Sequence, residues 1–250
     1  MLSTAYMTLP ITLCSQSPIV ILRCSINLTL LNTQLTGEEF DPVSAPNPYP
    51  NEQVLCVPTK DLDTKIGAWR GLRKPTSDVW QIIARKSTFR PRDLLESDPS
   101  FKQLISYTLF ISGKRIFVMK RLSTQGEKRL RGLLSVGVGG HMNPVEDIKW
   151  PGKRRIGDIK NLVGLNTIRE IREEVILAGN PQLGIIGFLN DDENEVGQVH
   201  LGVVSVVHLP SPLLAVRETD KMLGAWVELN KLSKLGAFET WSSLVLQGLV

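Results

Sequence analysis

The ten residues IREIREEVIL, numbers 168–177, carry three glutamates and two arginines between aliphatic side chains. Glu170, Glu173 and Glu174 stand at positions i, i+3 and i+4, so on a helix they share one side. The aliphatic residues fall on the other side and can pack against a sheet. Close carboxylates repel one another, and a hard divalent cation relieves that repulsion because it prefers oxygen ligands. The stretch therefore predicts an amphipathic helix whose acidic face is either solvated or holds a metal.

The segments around this helix alternate between strand and helix patterns. Asn166 or Thr167 is predicted to cap the helix, and Gly179 with Pro181 to end it. A hairpin is predicted from two β-rich runs joined through Ser112-Gly113. Further apolar runs predict strands, and two amphipathic runs predict helices at 76–86 and 237–250. Strand patterns dominate and helices lie between and after them, which predicts an α/β domain.

The first 51 residues differ in composition from the rest. Residues 1–37 contain no acid and a single base, Arg23, and prolines interrupt each apolar run. This pattern suits neither a secretory signal nor a membrane span. DPVSAPNPYPNE (41–52) is typical of an extended linker. We expect residues 1–51 to be a disordered leader or an over-long gene start, and residues 52–250 to form a single domain.

Charge and cysteine content narrow the class further. The net charge of +4 is modest, and its positive part concentrates at 147–160. Such a patch favours anionic ligands but is not the long basic stripe of a nucleic-acid binder. Cys14, Cys24 and Cys56 lack CxxC spacing and predict reduced thiols. We therefore expect a cytoplasmic protein with neither nucleic-acid nor membrane partners.

A glycine-rich turn upstream of the acidic helix favours the interpretation that the helix glutamates are functional. Gly140 is followed six positions later by Glu146, and Arg-Glu-Ile-x-Glu-Glu follows at 169–174. This resembles the Nudix box of MutT-like hydrolases, Gly-x5-Glu-x7-Arg-Glu-U-x-Glu-Glu-x-Gly-U, where U is a bulky aliphatic residue. The matching residues are Gly140, Glu146, Arg169, Glu170, Ile171, Glu173, Glu174 and Leu177. The spacer departs from the family pattern by a basic insertion around 147–164, and Ile176 replaces the second glycine.

The resemblance implies a fold, a reaction and a site. The fold would be an α/β/α sandwich with a mixed central sheet. The reaction would be metal-dependent hydrolysis of a diphosphate linking a nucleoside to another moiety, by water attack at phosphorus. Mg²⁺ or Mn²⁺ would be bound by Glu170, Glu173, Glu174 and the carbonyl of Gly140, with Arg169 as a further catalytic residue. Glu146 and Arg169 would form a salt-bridged brace.

The resemblance leaves the general base and the substrate contacts open. The base or an extra ligand would be a helix glutamate or a later carboxylate, from the set Asp191, Asp192, Glu193, Glu195 and Glu218. The alternative for the first four is a solvated acidic turn. Arg121 and His141 are candidates for substrate contact, and ordinary structural roles remain open for both.

Two further classes share this fold. A binding module that recognises a nucleotide without cleaving it usually lacks box glutamates, and all are present here. An isopentenyl-diphosphate-type isomerase needs a reactive cysteine, and no cysteine follows Cys56. We therefore expect an enzyme acting on a small diphosphate, and the resemblance is compatible with a homodimer.

Overall fold

The computed structural model describes residues 51–122, 132–146, 154–177, 182–217, 219 and 222–249, with the backbone of residues 22–23. The strands are β1 (Leu22–Arg23), β2 (Gln53–Pro58), β3 (Gly71–Arg73), β4 (Thr88–Pro91), β5 (Phe101–Ser112), β6 (Arg115–Arg121), β7 (Leu134–Ser135), β8 (Gly137–His141), β9 (Val175–Leu177), β10 (Leu183–Asn190), β11 (His200–His208), β12 (Leu214–Val216) and β13 (Met222–Glu228). The helices are α1 (Thr59–Ile66), α2 (Ser77–Lys86), α3 (Arg92–Leu95), α4 (Ile156–Glu174), α5 (Glu195–Gln198) and α6 (Thr240–Leu249). A 3-10 helix spans Leu229–Lys234.

A large mixed sheet forms the centre of the described chain. Its main path runs β1-β10-β11-β5-β2-β4. β11 lies parallel to β5 from His200 opposite Gln103 to His208 opposite Ile111. β8 runs antiparallel to β5 and pairs with no other described strand. The strand β8, which carries the glycine turn, is therefore an edge of the sheet.

Helices cover both faces of the sheet. Helices α2 and α4 pack on one face, where Ile83, Leu162 and Met142 belong to one buried cluster. Helix α6 packs on the opposite face through Leu244 and Val245, in a second buried cluster. Alternation along β8 places Gly140 and Met142 on the α4 side of the sheet and His141 on the α6 side. The predicted α/β/α sandwich with a mixed sheet is confirmed.

The box helix has different ends from those predicted. It begins at Ile156, ten residues before Asn166, where the Arg155 backbone N–H donates to Asp158 Oδ2 (2.9 Å). The predicted insertion is thus partly helical. The helix ends at Glu174 rather than near Gly179, because the β-prone residues Val175–Leu177 form β9 and pair with β12.

The predicted hairpin is confirmed with a turn shifted by one residue. Ser112 pairs with Arg115, so Gly113 and Lys114 form the turn, and Gly113 has a positive φ of 57° that glycine adopts without strain. Helix α1, which the sequence reading did not identify, follows β2 directly.

Residues 1–51 lie almost wholly outside the described part of the chain. β1 pairs with β10, while the other residues before Asn51 lie outside the described chain, so the domain boundaries stay a prediction. Within the described helices, no stretch combines the length and apolarity needed to cross a bilayer.

Cys56 is buried and its thiol donates to the Thr88 carbonyl (3.4 Å). Burial raises the pKa of this thiol to about 11.

Candidate metal and active site

Gly140 brings the sheet edge against the box helix. It lies opposite Ser106 in the β5–β8 ladder, and the Ser106 hydroxyl donates to its carbonyl at 3.4 Å. A β-carbon at Gly140 would overlap the carboxylate of Glu170. Any side chain at this first glycine of the box would therefore have to displace the buried Glu170 carboxylate.

The three box glutamates lie on one side of α4 at different depths. Glu170 is buried, Glu174 is half-buried and Glu173 is exposed. Burial raises the pKa of Glu170, although the neighbouring Arg169 opposes that shift. A buried carboxylate is unfavourable in its charged form unless a cation compensates it. The helix thus carries three carboxylates of increasing exposure, and a nearby cation would stabilise the charged form of the most buried one, Glu170.

Arg169 connects the helix to the turn after β8. Its guanidinium forms ion pairs with Glu170 (2.7 Å) and Glu173 (3.1 Å). The same group donates to the His141 carbonyl and to Asn143 Oδ1, both at 2.9 Å. Arg169 therefore holds two candidate metal ligands and fixes the glycine turn relative to the helix.

The brace predicted between Glu146 and Arg169 is not formed among the described residues. Glu146 is exposed, and among the described residues Arg169 contacts the groups just named and, at 3.4 Å, Asn166 Oδ1. The physical reason is local: Asn143 reaches the guanidinium from the turn, and two adjacent helix carboxylates already neutralise it. Asn143 takes the bracing position that the motif assigns to Glu146.

Asn166 is a second residue whose role the sequence reading missed. It is buried inside α4 rather than at its start. Its amide nitrogen donates to the Asn143 carbonyl (3.1 Å), and its amide oxygen accepts from the Asn143 backbone N–H (2.9 Å). Asparagine is a poor helix-interior residue, so an asparagine one turn before the glutamates was a usable signal for a tertiary contact.

The acidic loop after β10 is an ordered structure built on ion pairs. Asp191 is fully buried and accepts from Arg70 Nε at 2.9 Å. Asp192 pairs at 2.6 Å with Lys102, which is itself buried and also donates to the Gly197 carbonyl. Both aspartates thus have structural partners, unlike residues of a simple solvated turn.

The remaining two loop carboxylates are more accessible. Glu193 is 66% exposed and pairs with Arg70 at 3.1 Å, and Glu195 is exposed at the start of α5. Glu218 lies outside the described residues. The backbone of Arg121 ends β6 opposite Met222, and its side chain lies outside the described part of the structure. These placements leave the base and the Arg121 contact as predictions.

A cavity of about 430 Å³ borders the glycine edge of β8. Its wall includes Glu174 from α4, Val196 from α5 and Trp241 from α6. Gly137 and Gly139 line the strand side, where the lack of side chains leaves the space open. The volume suits a small organic ligand rather than a macromolecule. One carboxylate of the candidate metal site therefore faces a space of substrate size.

His141 lies on the opposite face of β8 from Gly140. Burial, with help from Arg92, His200 and Arg169, lowers the pKa of His141 to about 2. Its Nε2 lies 3.2 Å from Nε2 of His200, whose pKa is also lowered, chiefly by burial. The structure thus directs His141 toward another histidine; its predicted contact with substrate is untested.

The donor set on α4 fits a hard divalent cation. Carboxylates and a backbone carbonyl are the ligands that Mg²⁺ and Mn²⁺ prefer. The buried Glu170 carboxylate beside Gly140 is the position that gains most from such a cation, because Arg169 divides its charge between Glu170 and Glu173.

Comparison with known proteins places the chain and its fold in a family. No protein-family profile matches the chain. The chain is 33% identical over 206 residues to Protein YmaB of Bacillus subtilis strain 168, covering 78% of this chain and 96% of YmaB. The crystal structure of Tm1382, a proposed Nudix hydrolase, superposes with a TM-score of 0.63 at 27% identity, covering 79% of this chain and 98% of Tm1382.

A MutT Nudix hydrolase from Burkholderia pseudomallei is more distant, with a TM-score of 0.41 and 18% identity over 60% of this chain and 98% of that one. The alignments with YmaB and Tm1382 span nearly the whole length of those two proteins. Together with the sandwich fold and the box residues on β8 and α4, they identify this chain as a member of the Nudix (MutT-like) hydrolase superfamily.

Proposed function

We propose that this protein hydrolyses a diphosphate that links a nucleoside to another moiety, with Mg²⁺ or Mn²⁺ bound by the box carboxylates. The observation that carries the proposal is the packing of the Glu170 carboxylate against the Cα of Gly140. It brings a buried carboxylate beside the Cα of Gly140, and Glu174 from the same helix borders the cavity.

The chain's own residues would divide the work. Glu170, Glu173 and Glu174, with the Gly140 carbonyl, would hold the cation. Such a cation neutralises charge on the diphosphate and lowers the pKa of the attacking water. Arg169 would keep Glu170 and Glu173 in place through its ion pairs.

The cavity supports an organic substituent on the diphosphate. Trp241 and Tyr107 form part of its wall, with their rings edge to face and their centroids 5.7 Å apart. Aromatic surfaces favour planar groups such as nucleobases. Among the loop carboxylates, Glu193 and Glu195 are the better candidates for a base because both are exposed. Asp191 is fully buried, and Asp192 pairs with the buried Lys102.

The experiment is a hydrolysis screen on the full chain. Nucleoside triphosphates, dinucleotides, nucleotide sugars and coenzyme A would be incubated with Mg²⁺ or Mn²⁺, and the released phosphates measured. We expect one class to be cleaved only with metal, and Glu174→Gln to reduce the rate at least about 100-fold. Glu228→Gln, a surface glutamate paired with Lys231, is the matched control.

Two outcomes would contradict the proposal. Cleavage that persists in the Glu174→Gln variant would remove the box from the mechanism. Nucleotides that raise the melting temperature without being cleaved would instead support a binding module.

A further inference from the structure

Glu96, His141 and His200 bring one carboxylate and two imidazoles together. Their potential ligand atoms all lie within 4.8 Å of one another. We propose that these three residues bind a divalent transition metal ion of the zinc type, at a site separate from the oxygen-rich site on α4. The three residues come from the end of α3, the end of β8 and the start of β11.

His200 is oriented as a metal ligand. Its Nδ1 lies 2.7 Å from the Val196 carbonyl oxygen, which can only accept a hydrogen bond. In the neutral ring Nδ1 therefore carries the proton, and Nε2 presents a lone pair. Histidines that bind metals characteristically donate their other ring N–H to such a carbonyl, which fixes both the tautomer and the ring orientation.

The spacing of the two imidazoles matches tetrahedral coordination. Nε2 of His200 lies 3.2 Å from Nε2 of His141. Two nitrogens bound to zinc at about 2.0–2.1 Å in a tetrahedron stand about 3.3–3.4 Å apart. A cation can therefore be placed between these nitrogens with only small shifts of the rings.

Glu96 supplies the third ligand in the presence of a competing cation. Arg92 Nε donates to Glu96 Oε1 at 2.8 Å. The guanidinium is shared with Glu52, whose carboxylate lies 3.0 Å from Arg92 Nη1. The second oxygen of the Glu96 carboxylate is a separate donor, and the side chain is 38% exposed, so it can turn toward the imidazoles.

A buried amide lies beside this cluster. Gln103 is paired in register with His200, and Ile105, two residues on, with His141, so all four side chains emerge on one face of the sheet. Gln103 is fully buried, and neither amide atom has a hydrogen-bond partner among the described residues. Such a group is unfavourable without a partner, and a water on a bound metal would supply one.

The mixed donor set defines the class of ion. Two imidazole nitrogens and one carboxylate suit Zn²⁺, Co²⁺ or Ni²⁺, whereas Mg²⁺ requires oxygen ligands. Because His200 also borders the cavity, the ion would lie at the cavity wall. The inference does not depend on the proposed hydrolase activity.

The test uses Co²⁺ as a spectroscopic probe on the full chain. Protein freed of metal by a chelator would be titrated with Co²⁺ in excess Mg²⁺, which occupies the carboxylates of α4. We expect about one equivalent of Co²⁺ to give the visible absorption of a nitrogen-ligated low-coordinate ion, reversed by Zn²⁺. Glu96→Gln and His200→Ala should each weaken binding at least about tenfold.

Two controls make the result decisive. His208→Ala changes an exposed histidine at the other end of β11 and should bind Co²⁺ as the natural chain does. Glu174→Gln should also retain the signal, which separates this site from the box. Glu96 is exposed, so its variant tests the site even if His200→Ala fails to fold.

Two results would overturn the proposal. The first is absence of the Co²⁺ signal from the natural chain, in which case the histidines form only a hydrogen-bonded pair. The second is an equal signal in Glu96→Gln or in a folded His200→Ala, which would mean that the ion binds elsewhere.

Discussion

Two consecutive residues of β8 serve opposite faces of the sheet. Gly140 faces α4, where the buried Glu170 carboxylate rests against its Cα and Arg169 lies beside it. His141 faces the α6 side and meets His200, another imidazole. One face offers charged oxygen donors and the other offers nitrogen donors whose burial keeps them neutral.

The difference shows how each face is stabilised. On the face of β8 that carries Gly140 (the glycine face), Arg169 offsets the repulsion among the carboxylates through its ion pairs with Glu170 and Glu173. Lack of a side chain at Gly140 makes room for the Glu170 carboxylate. On the opposite face, which carries His141 and His200 (the histidine face), the rings are oriented by hydrogen bonds. His200 bonds to the Val196 carbonyl, and the two rings contact each other. The predictions below disturb one face while leaving the other in place.

Gly140→Ala should have the largest effect on activity. The added β-carbon must displace the Glu170 carboxylate, and misplacing such a group by about 1 Å can lower the rate about 100-fold. Because a flexible side chain yields rather than backbone, the variant should remain folded. Rates of metal-dependent hydrolysis and the melting temperature check both statements.

Gly157→Ala is the matched control for that substitution. A β-carbon there meets no atom within 4 Å, and alanine is the better helix former, so activity should be unchanged and stability equal or slightly higher. Full activity in Gly140→Ala would show that the packing against Glu170 is not required.

Arg169→Gln should have the next largest effect. It removes the ion pairs to Glu170 and Glu173 and the contact with Asn143, and loss of such supporting contacts commonly lowers metal affinity or activity about 10–100-fold. Metal titrations of the hydrolysis rate measure this loss. Glu146→Gln should change the rate by less than about twofold, since Glu146 is exposed and its carboxylate does not contact Arg169. A large loss in Glu146→Gln would instead restore the brace that the motif implies.

Glu170→Gln should raise stability in the absence of metal. Burial raises the pKa of Glu170, so the folded chain binds the proton more tightly than the unfolded chain. Stability from this group is therefore greatest below the ordinary carboxyl value of 4.5 and is lost as pH rises through the raised folded pKa. At neutral pH the variant should melt a few degrees higher, about 2–4 °C per kcal/mol. The exposed Glu173→Gln should show no such gain, and an unchanged melting temperature for Glu170→Gln would show that Arg169 fully offsets the burial.

The smallest expected effect is on the pH dependence of folding stability, and it comes from His141. The pKa of His141 falls from 6.5 to about 2, so the unfolded chain binds the proton more readily than the folded chain. Stability from the neutral ring is complete above 6.5 and is lost progressively as pH falls below it. Urea unfolding of metal-free protein on both sides of 6.5 should give a flatter pH dependence for His141→Gln and an unchanged one for His208→Ala. Equal slopes in all three proteins would show that His141 does not contribute.

The sequence predicted the face whose residues are close together in the chain. The glycine turn and the helix glutamates follow a fixed motif. Helical periodicity predicts that the three glutamates share one side of the helix. The predicted helix start is wrong because ten residues of the basic insertion, 156–165, are also helical. Val175 is predicted as helical but begins β9, because a short aliphatic run fits both the helix period and the strand period.

The other face could not be predicted because its parts are distant in sequence. Glu96, His141 and His200 are brought together only by the parallel register of β5 and β11 and by β8 beside them. The partners of Arg169 were missed for a related reason, since Asn143 reaches it through a turn whose shape the motif does not encode.

Binding of Mn²⁺ to the full chain, followed by its paramagnetic resonance signal, tests the central claim most directly. The natural chain and Glu96→Gln should both bind Mn²⁺, because the carboxylates of α4 are intact in each. Glu174→Gln, folded to the same extent, should bind it at least about tenfold more weakly. Equal binding by Glu174→Gln, or no binding by the natural chain, would contradict the assignment of the box as the metal site.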